Sequence, residues 1–384
     1  MIIEHLFYSY KTYLVEYANK IYDYCNSIGF EDMYYCLPKK SIKYARMPKE
    51  KILTTSILKK PNCEVKNLYG NYFLYTAPGC VKSFENAKIH KFSYGFGNDD
   101  FFYSKCKWGN EQRTVEYLGG CDYETHKFFT RKNNHIEKFR TIGLIKYDQT
   151  IPYNIENEIM KINFQQNTLE DIYFDKNKPT ILFLHTWDKA NETETSHKTR
   201  GIQGISNYEE TAKQLNKISN DFNIIHKNHH NTSNLFSNFI NIDNGTVDSK
   251  FLFDIADIII ADYGGSALES LLSDKKIIYV NDYNHEKISH LNIDARIHNS
   301  FDNCYPEDIL KHIDIPMTKE QEELRLELRN YFYGESLDKP CEKFIKCIKD
   351  PNYKLFDEQE FLNNEITKKY NLGWKTKDIK KVLK

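Results

Sequence analysis

The sequence lacks net charge, a long apolar run and an ordered cysteine pattern, and each absence removes a class of protein. Its 53 Lys and Arg stand against 54 Asp and Glu, a formal charge of −1. It therefore lacks the positive footprint that carries general nucleic-acid binding. No stretch approaches the ~20 consecutive apolar residues of a membrane-spanning helix, so the membrane contact to expect is peripheral. The opening residues, MIIEHLFYSYKTYLVEY, are too polar and aromatic for the basic-then-apolar order of a secretory leader. Nine cysteines are scattered in odd number with no C-x-x-C. That pattern fits reduced thiols in a cytosolic protein better than a disulfide frame or a zinc site. No internal repeat, low-complexity segment or metal-ligand cluster stands out, so neither a metal nor a cofactor is expected.

What is present is length and alternation. At 384 residues the chain can form two domains of the usual ~100–200 residues each. Tyr (28) and Phe (24) are abundant, as are Lys, Asn and Ile, which reflects a base-composition bias as much as a functional signal.

Residues 251–283, FLFDIADIIIADYGGSALESLLSDKKIIYVNDY, read as strand, tight turn, helix, strand. Ile258, Ile259, Ile260 and Ala261 form a short apolar run suited to a strand buried on both faces. Gly264 and Gly265 permit a sharp turn, Ser266 can cap a helix, and Ala267, Leu268, Leu271 and Leu272 supply its apolar stripe. Lys275 and Lys276 suit that helix's C-terminal end. The unfilled N–H groups at such a helix start favour a phosphate, although an ordinary βαβ crossover without ligand has the same signature.

Elsewhere the patterns predict a helix over 8–28, strands over 68–76 and 87–96, helices over 105–118 and 123–130, and a strand over 139–143. A polar, helix-like linker follows over 151–167. Beyond it come a strand over 180–185, a helix over 207–219 with a Ser206/Glu209 capping box, and a strand over 222–227. Helices are expected over 235–241, 248–256, 306–313 and 318–331, with a loop over 285–302 and a charged, mostly helical stretch after 339. Regular alternation in the second half predicts an α/β parallel sheet.

Ligands of open parallel sheets bind beyond the carboxyl ends of the strands. Three such ends carry polar groups: His185, Thr186 and Trp187; Lys227, Asn228, His229 and His230; and Asp262, Tyr263, Gly264, Gly265 and Ser266. Together they suit a nucleoside diphosphate, with Lys227 and the helix start offsetting pyrophosphate charge and His229 donating to it or moving a proton. The alternative for His229 is a polar strand-end residue without chemistry. In the first half the matching end is residues 90–95, where His90 and Tyr94 are either chemical groups facing the donor or ordinary strand and packing residues.

Five segments in this order resemble the CDP-glycerol glycerophosphotransferase family, the enzymes of teichoic acid and related capsule polymers. ILFLHTW (181–187) resembles its strand ending in a Pro-Thr-Trp-type turn, with His185 in place of proline. IHKNHHN (225–231) resembles its Lys-x-His-Pro motif, with His230 in place of proline. Asp248 with residues 257–266 and Glu269 resembles its Asp-Tyr-Ser-Ser…Glu block, with Gly264 and Gly265 for the serines. FRTIGLIKYD (139–148) and residues 88–97 resemble its first-domain segments. The resemblance implies a GT-B-type fold of two Rossmann-like domains facing across a cleft, an acceptor-side domain over 1–155, a nucleotide-donor domain over 156–335, and C-terminal helices over 336–384 returning to the first. It implies a transferase in which an acceptor hydroxyl, polysaccharide or lipid-linked, attacks the glycerol-bearing phosphorus of CDP-glycerol and CMP leaves. Tyr94 or His90 would take the base position, His229 would act on the phosphates, and Thr186, Lys227, Asp262, Gly264, Gly265, Ser266 and Glu269 would bind the substrate. A glycosyltransferase or sugar-nucleotide epimerase using a UDP- or CMP-sugar would share the scaffold. The implied location is the cytoplasm, at the inner face of the plasma membrane. The lysine-rich residues 375–384 can touch an anionic surface, at ~1 kcal/mol per basic residue, or form a solvated helix face.

Overall fold

The computed structural model describes residues 1–9, 14–70, 82–84, 86–92, 115–119, 139–164, 172–185, 207–228, 236–243, 245–262, 265–281, 301–333, 339–350 and 352. The chain divides into two units, Met1–Pro152 with a returning stretch that begins at Tyr331, and Tyr153–Asn330. Each is built on a six-stranded sheet whose strands all run parallel, an α/β, GT-B-type arrangement.

The first sheet comprises β1 (Ile2–Tyr8), β2 (Met33–Cys36), β3 (Glu64–Gly70), β4 (Lys88–Phe92), β5 (Val115–Gly119) and β6 (Phe139–Thr141). Their order is β2-β1-β3-β4-β5-β6. One face packs Phe7, Tyr35 and Tyr69 against α1 (Val15–Ser27) and against Phe344 and Ile345 of the late helix α9 (Pro340–Lys349). The other face packs Ile3, Leu6, Val65, Leu68 and Ile89 with Leu58 of α2 (Thr55–Leu58) and Phe84. Asp148 ties the returning helix down. Its Oδ2 accepts from the Cys341 backbone N–H (2.8 Å) in the first turn of α9, while Oδ1 accepts from Thr150 N and Oγ1. A buried carboxylate at a helix start meets both the free N–H groups and the helix dipole.

The second sheet comprises β7 (Thr180–Leu184), β8 (Asn223–Asn228), β9 (Ile240–Asp243), β10 (Ile258–Ala261), β11 (Lys276–Val280) and β12 (Asn303–Cys304), in the order β12-β11-β10-β7-β8-β9. Its helices are α3 (Ile155–Phe164), α4 (Tyr208–Asn216), α5 (Ser249–Ile255), α6 (Gly265–Ser270), α7 (Ile309–Ile313) and α8 (Lys319–Tyr333), the last ending in the returning stretch. Phe183, Ile224, Ile260 and Ile278 pack against α4 and α7 through Ala212, Leu215, Ile309 and Ile313. Helices α5 and α6 contribute buried Phe251, Leu252, Ala267 and Leu268. Asp248 caps α5, its carboxylate accepting from the Lys250 and Phe251 N–H groups.

Several sequence expectations are corrected. The helix expected over 8–28 starts at Val15, and Tyr8 closes β1, an unanticipated central strand. Residues 115–118, expected in a helix, belong to β5, where the Val-Glu-Tyr-Leu alternation pairs with β4 and β6. Residues 240–241, also expected in a helix, belong to β9. The Asn241 amide donates to Phe236 O and Phe239 O and its Oδ1 accepts from Phe236 N, closing a side-chain-bonded turn that competes with helix. Asn207, with no side-chain cap bond, precedes α4 in place of the expected capping box. Lys276 closes not α6 but α7, its ammonium donating to the carbonyls of His312, Ile313 and Ile315. The helix expected over 123–130 and the stretch after 352 lie outside the described residues.

Candidate functional site

Parallel strands put all their carboxyl ends on one edge of the sheet, and ligands sit where successive connections leave in opposite directions. In the second unit that point lies between β7 and β10, because β7 leads to β8 on one side and β10 to β11 on the other. Ala261 pairs with Leu184, and Leu184 with Lys227. His185, Asp262 and Asn228 therefore leave neighbouring strands side by side. In the first unit the corresponding point lies between β1 and β3, just beyond Tyr8 and Gly70.

Of the residues singled out in sequence, Asp262 is buried at the end of β10 and Glu269 half-buried on α6. Gly265 opens α6, so Ser266 lies within its first turn and does not cap it. The helix has six residues, so its charge effect comes from its first free N–H groups more than from a long dipole. Lys227 reaches the start of α5, where its ammonium donates to Ser249 Oγ (2.8 Å). His90 does not stand at a strand end. It lies in mid-β4, paired with Tyr69 and Glu116, and is buried. Its Nε2 donates to Asn67 Oδ1 (3.2 Å), because the Asn67 amide nitrogen is committed to Glu4 O. Its ring stacks on Tyr69 at 4.4 Å. His229, Tyr94, Thr186 and Gly264 lie outside the described residues.

Beneath the switch point of the second unit lies a hydrogen-bonded chain that sequence reasoning did not find. The Asn241 amide is oriented by its bonds to backbone carbonyls, so its Oδ1 faces His226 and accepts from Nδ1 (2.9 Å). His226 Nε2 must then accept, and His185 Nε2 donates to it at 2.8 Å. His185 also stacks on Tyr208 (4.5 Å). Burial, then the neighbouring His185, push the His226 pKa down to about 3, against a smaller upward pull from Asn241. The pair is thus held in one tautomeric arrangement with His226 neutral. Two further side chains at this edge were also missed. Asn228 at the end of β8 and Asn281 just past β11 have buried amide oxygens with no hydrogen-bond partner among the described residues. The available signal was an amide placed at the last position of an apolar strand.

Among the described residues no group of three or more His, Cys, Asp or Glu could hold a metal ion, and no helix is long and apolar enough to cross a membrane. The described cysteines, Cys25, Cys36, Cys63, Cys304, Cys341 and Cys347, are unbridged and buried.

Neither a protein-family model nor a curated relative matches the sequence. Solved structures match the fold. The wall teichoic acid polymerase TagF aligns with a TM-score of 0.58 at 14% identity, over 96% of this chain and 89% of that chain. A single-residue variant of the same polymerase, soaked with CDPG, aligns at 0.58 and 14%, over 94% and 90%. UDP-GlcNAc 2-epimerase from Methanocaldococcus jannaschii aligns at 0.50 and 14%, over 91% and 99%. At such identities the likeness is one of fold, and a fold hosts more than one chemistry. The structure thus has a teichoic acid polymerase among its neighbours and a GT-B-type α/β architecture in common with it.

Proposed function

We propose that this chain is a transferase that binds a nucleotide-activated donor at the β7/β10 switch point and moves a polyol-phosphate unit to an acceptor hydroxyl. CDP-glycerol is the first donor to test, and a surface polysaccharide or lipid-linked glycan the acceptor class. The observation that carries the reading is the strand order of the second unit. It sets the glycine-led start of α6 and Asp262 beside His185 at the edge where open parallel sheets take ligands. The full-length likeness to TagF supports it, as does the order of the matching sequence segments.

In this reading the acceptor oxygen attacks the glycerol-bearing phosphorus. A new P–O bond forms, the bond to the CMP oxygen breaks, and a base takes the hydroxyl proton. The first N–H groups of α6, with Gly264, Ser266 and Thr186, receive the diphosphate, and His229 donates to it. Each such donor is commonly worth about 3–4 kcal/mol in the transition state. Lys227 joins them by exchanging Ser249 Oγ for a phosphate oxygen. Asp262 orders the turn, and Glu269 takes the ribose hydroxyls. His90 is committed to Asn67 and Tyr69, so we assign it to positioning β4 and leave the base position to Tyr94, in the segment that β4 feeds. No metal or cofactor is assigned, and membrane contact is peripheral, at the cytoplasmic face.

The likeness to UDP-GlcNAc 2-epimerase favours a second reading, a sugar-nucleotide epimerase or glycosyltransferase on the same scaffold. Incubation with CDP-glycerol, CDP-ribitol and a set of UDP-sugars separates the two. Acceptor-dependent CMP release, lost by orders of magnitude in His229→Ala with the fold retained, is the expected result. UDP release, or conversion of UDP-GlcNAc without nucleotide release, would replace the first reading by the second.

A further inference from the structure

Asn281 follows β11 on the same sheet edge as Asp262, one strand further from the switch point. Two hydrogen bonds fix its side-chain amide. Asn303 Nδ2 donates to Phe301 O (2.9 Å), which turns Asn303 Oδ1 toward Asn281. Asn281 Nδ2 donates to that oxygen at 2.8 Å. The Asn281 backbone is held as well, its N–H donating to Cys304 O (2.7 Å) and its carbonyl accepting from Asn207 Nδ2 (3.1 Å). The amide therefore cannot flip without breaking the Asn303 bond, and the atom left over is a carbonyl oxygen. That oxygen is buried, in a residue 5% exposed, and has no partner among the described residues. Buried amide oxygens are satisfied in the great majority of cases, and an orphan calls for a donor that the described residues do not supply.

We infer that Asn281 is a specificity-determining residue whose Oδ1 accepts a hydrogen bond from an N–H or O–H group of the nucleoside part of the donor. A carbonyl oxygen repels phosphate, so the phosphates are excluded as its partner. On a nucleoside diphosphate the remaining donors are the ribose hydroxyls and the amino or imino group of the base. A site built to accept such a bond rejects the analogue that lacks it, because the oxygen then stays buried and unpaired. The inference rests on the nucleotide-donor reading above and adds the atom that discriminates among nucleotides.

The test is calorimetric titration of the full chain with CDP, 2′-deoxy-CDP, 3′-deoxy-CDP and UDP, in the wild type, Asn281→Ala and Asn281→Asp. The wild type is expected to bind CDP roughly tenfold more tightly than the one analogue that lacks the paired donor. Which analogue that is tells a ribose hydroxyl from a base amine. Asn281→Ala is expected to lose that factor and bind the two equally. Asn281→Asp keeps an oxygen in place, so its affinities fall together through repulsion of the phosphates while the ratio survives. A wild-type ratio in Asn281→Ala, or a loss spread evenly over all four nucleotides, overturns the inference and leaves the donor reading standing. Should the alanine variant not fold, loss of the ratio in Asn281→Asp overturns it instead. If the wild type binds none of the four, both fall together.

Discussion

Both units use a related small device, a histidine stacked on a tyrosine and tied to an asparagine amide, directly in the first unit and through a second histidine in the second. In the first unit His90 lies on Tyr69 at 4.4 Å, bonds Asn67, and sits in mid-β4. His5 completes that cluster through the Tyr69 hydroxyl (3.0 Å). In the second unit His185 lies on Tyr208 at 4.5 Å, just past β7, with His226 and Asn241 behind it. The first cluster is inside a sheet and the second is at the carboxyl edge of one. The same residue types therefore serve packing in one unit and orient a strand-end imidazole in the other. A histidine's meaning is set by its register position more than by its neighbours in sequence.

The largest expected effect breaks the first cluster. Tyr69 is fully buried and touches His90, His5 and Phe344, the last from α9. Tyr69→Ala should cost about 3–5 kcal/mol, as aromatic truncation in a packed core does, and loosen α9 from the sheet. Tyr208→Ala, at the first turn of α4, should cost less. Urea unfolding of both variants checks the order. An equal or larger loss from Tyr208→Ala would mean that the second cluster is as much a packing element as the first.

Acid sharpens the comparison. His226 is depressed to about 3 from an ordinary 6.5 by burial and His185. Its unfolded form takes a proton near pH 6.5 while the folded form stays neutral. The stability tied to it is thus present above pH 6.5 and declines as pH falls, levelling only near pH 3. Between pH 6.5 and 5 the loss is about 2 kcal/mol, at about 1.4 kcal/mol per pH unit. His5 is also lowered, chiefly by burial, but less deeply enclosed. The second unit should accordingly unfold first on acidification. His226→Gln, which cannot be protonated, should flatten the pH dependence of the urea midpoint. If the first unit melts first, or the glutamine variant keeps the slope, the buried pair is not what makes the fold acid-labile.

Much of the second sheet was legible because strands buried on both faces are written as unbroken apolar runs, ILFL before His185 and IIIA before Asp262. Strand β1, IIEHLFY, was not, since Glu4 and His5 interrupt its apolar pattern. Nor was β9, whose turn is closed by an Asn241 side chain that periodicity cannot register. For the candidate site, the strand ends could be named from the alternation of elements, because parallel strands share an edge. Their partners could not. Lys227 meets Ser249, 22 positions on, and His226 is fixed by Asn241, 15 positions on. Only the strand order, 6-5-4-1-2-3 in the second unit's own count, brings those pairs together.

The smallest expected effect concerns Asn228, 7% exposed at the end of β8, set against Asn241 on the neighbouring β9. The Asn241 amide is bonded through both its oxygen and its nitrogen, whereas Asn228 Oδ1 is buried with no partner among the described residues. An unmet buried oxygen costs about 1–3 kcal/mol, and truncation removes that cost along with some packing. The two effects oppose each other, so Asn228→Ala should change stability by no more than about 1 kcal/mol in the absence of ligand, less than Asn241→Ala. Thermal melts of the two variants decide it. A drop for Asn228→Ala as large as that for Asn241→Ala would show that the Asn228 oxygen is already bonded in solution. The edge at β8 would then be a finished structure, and the open acceptor at β11 the one left for a ligand.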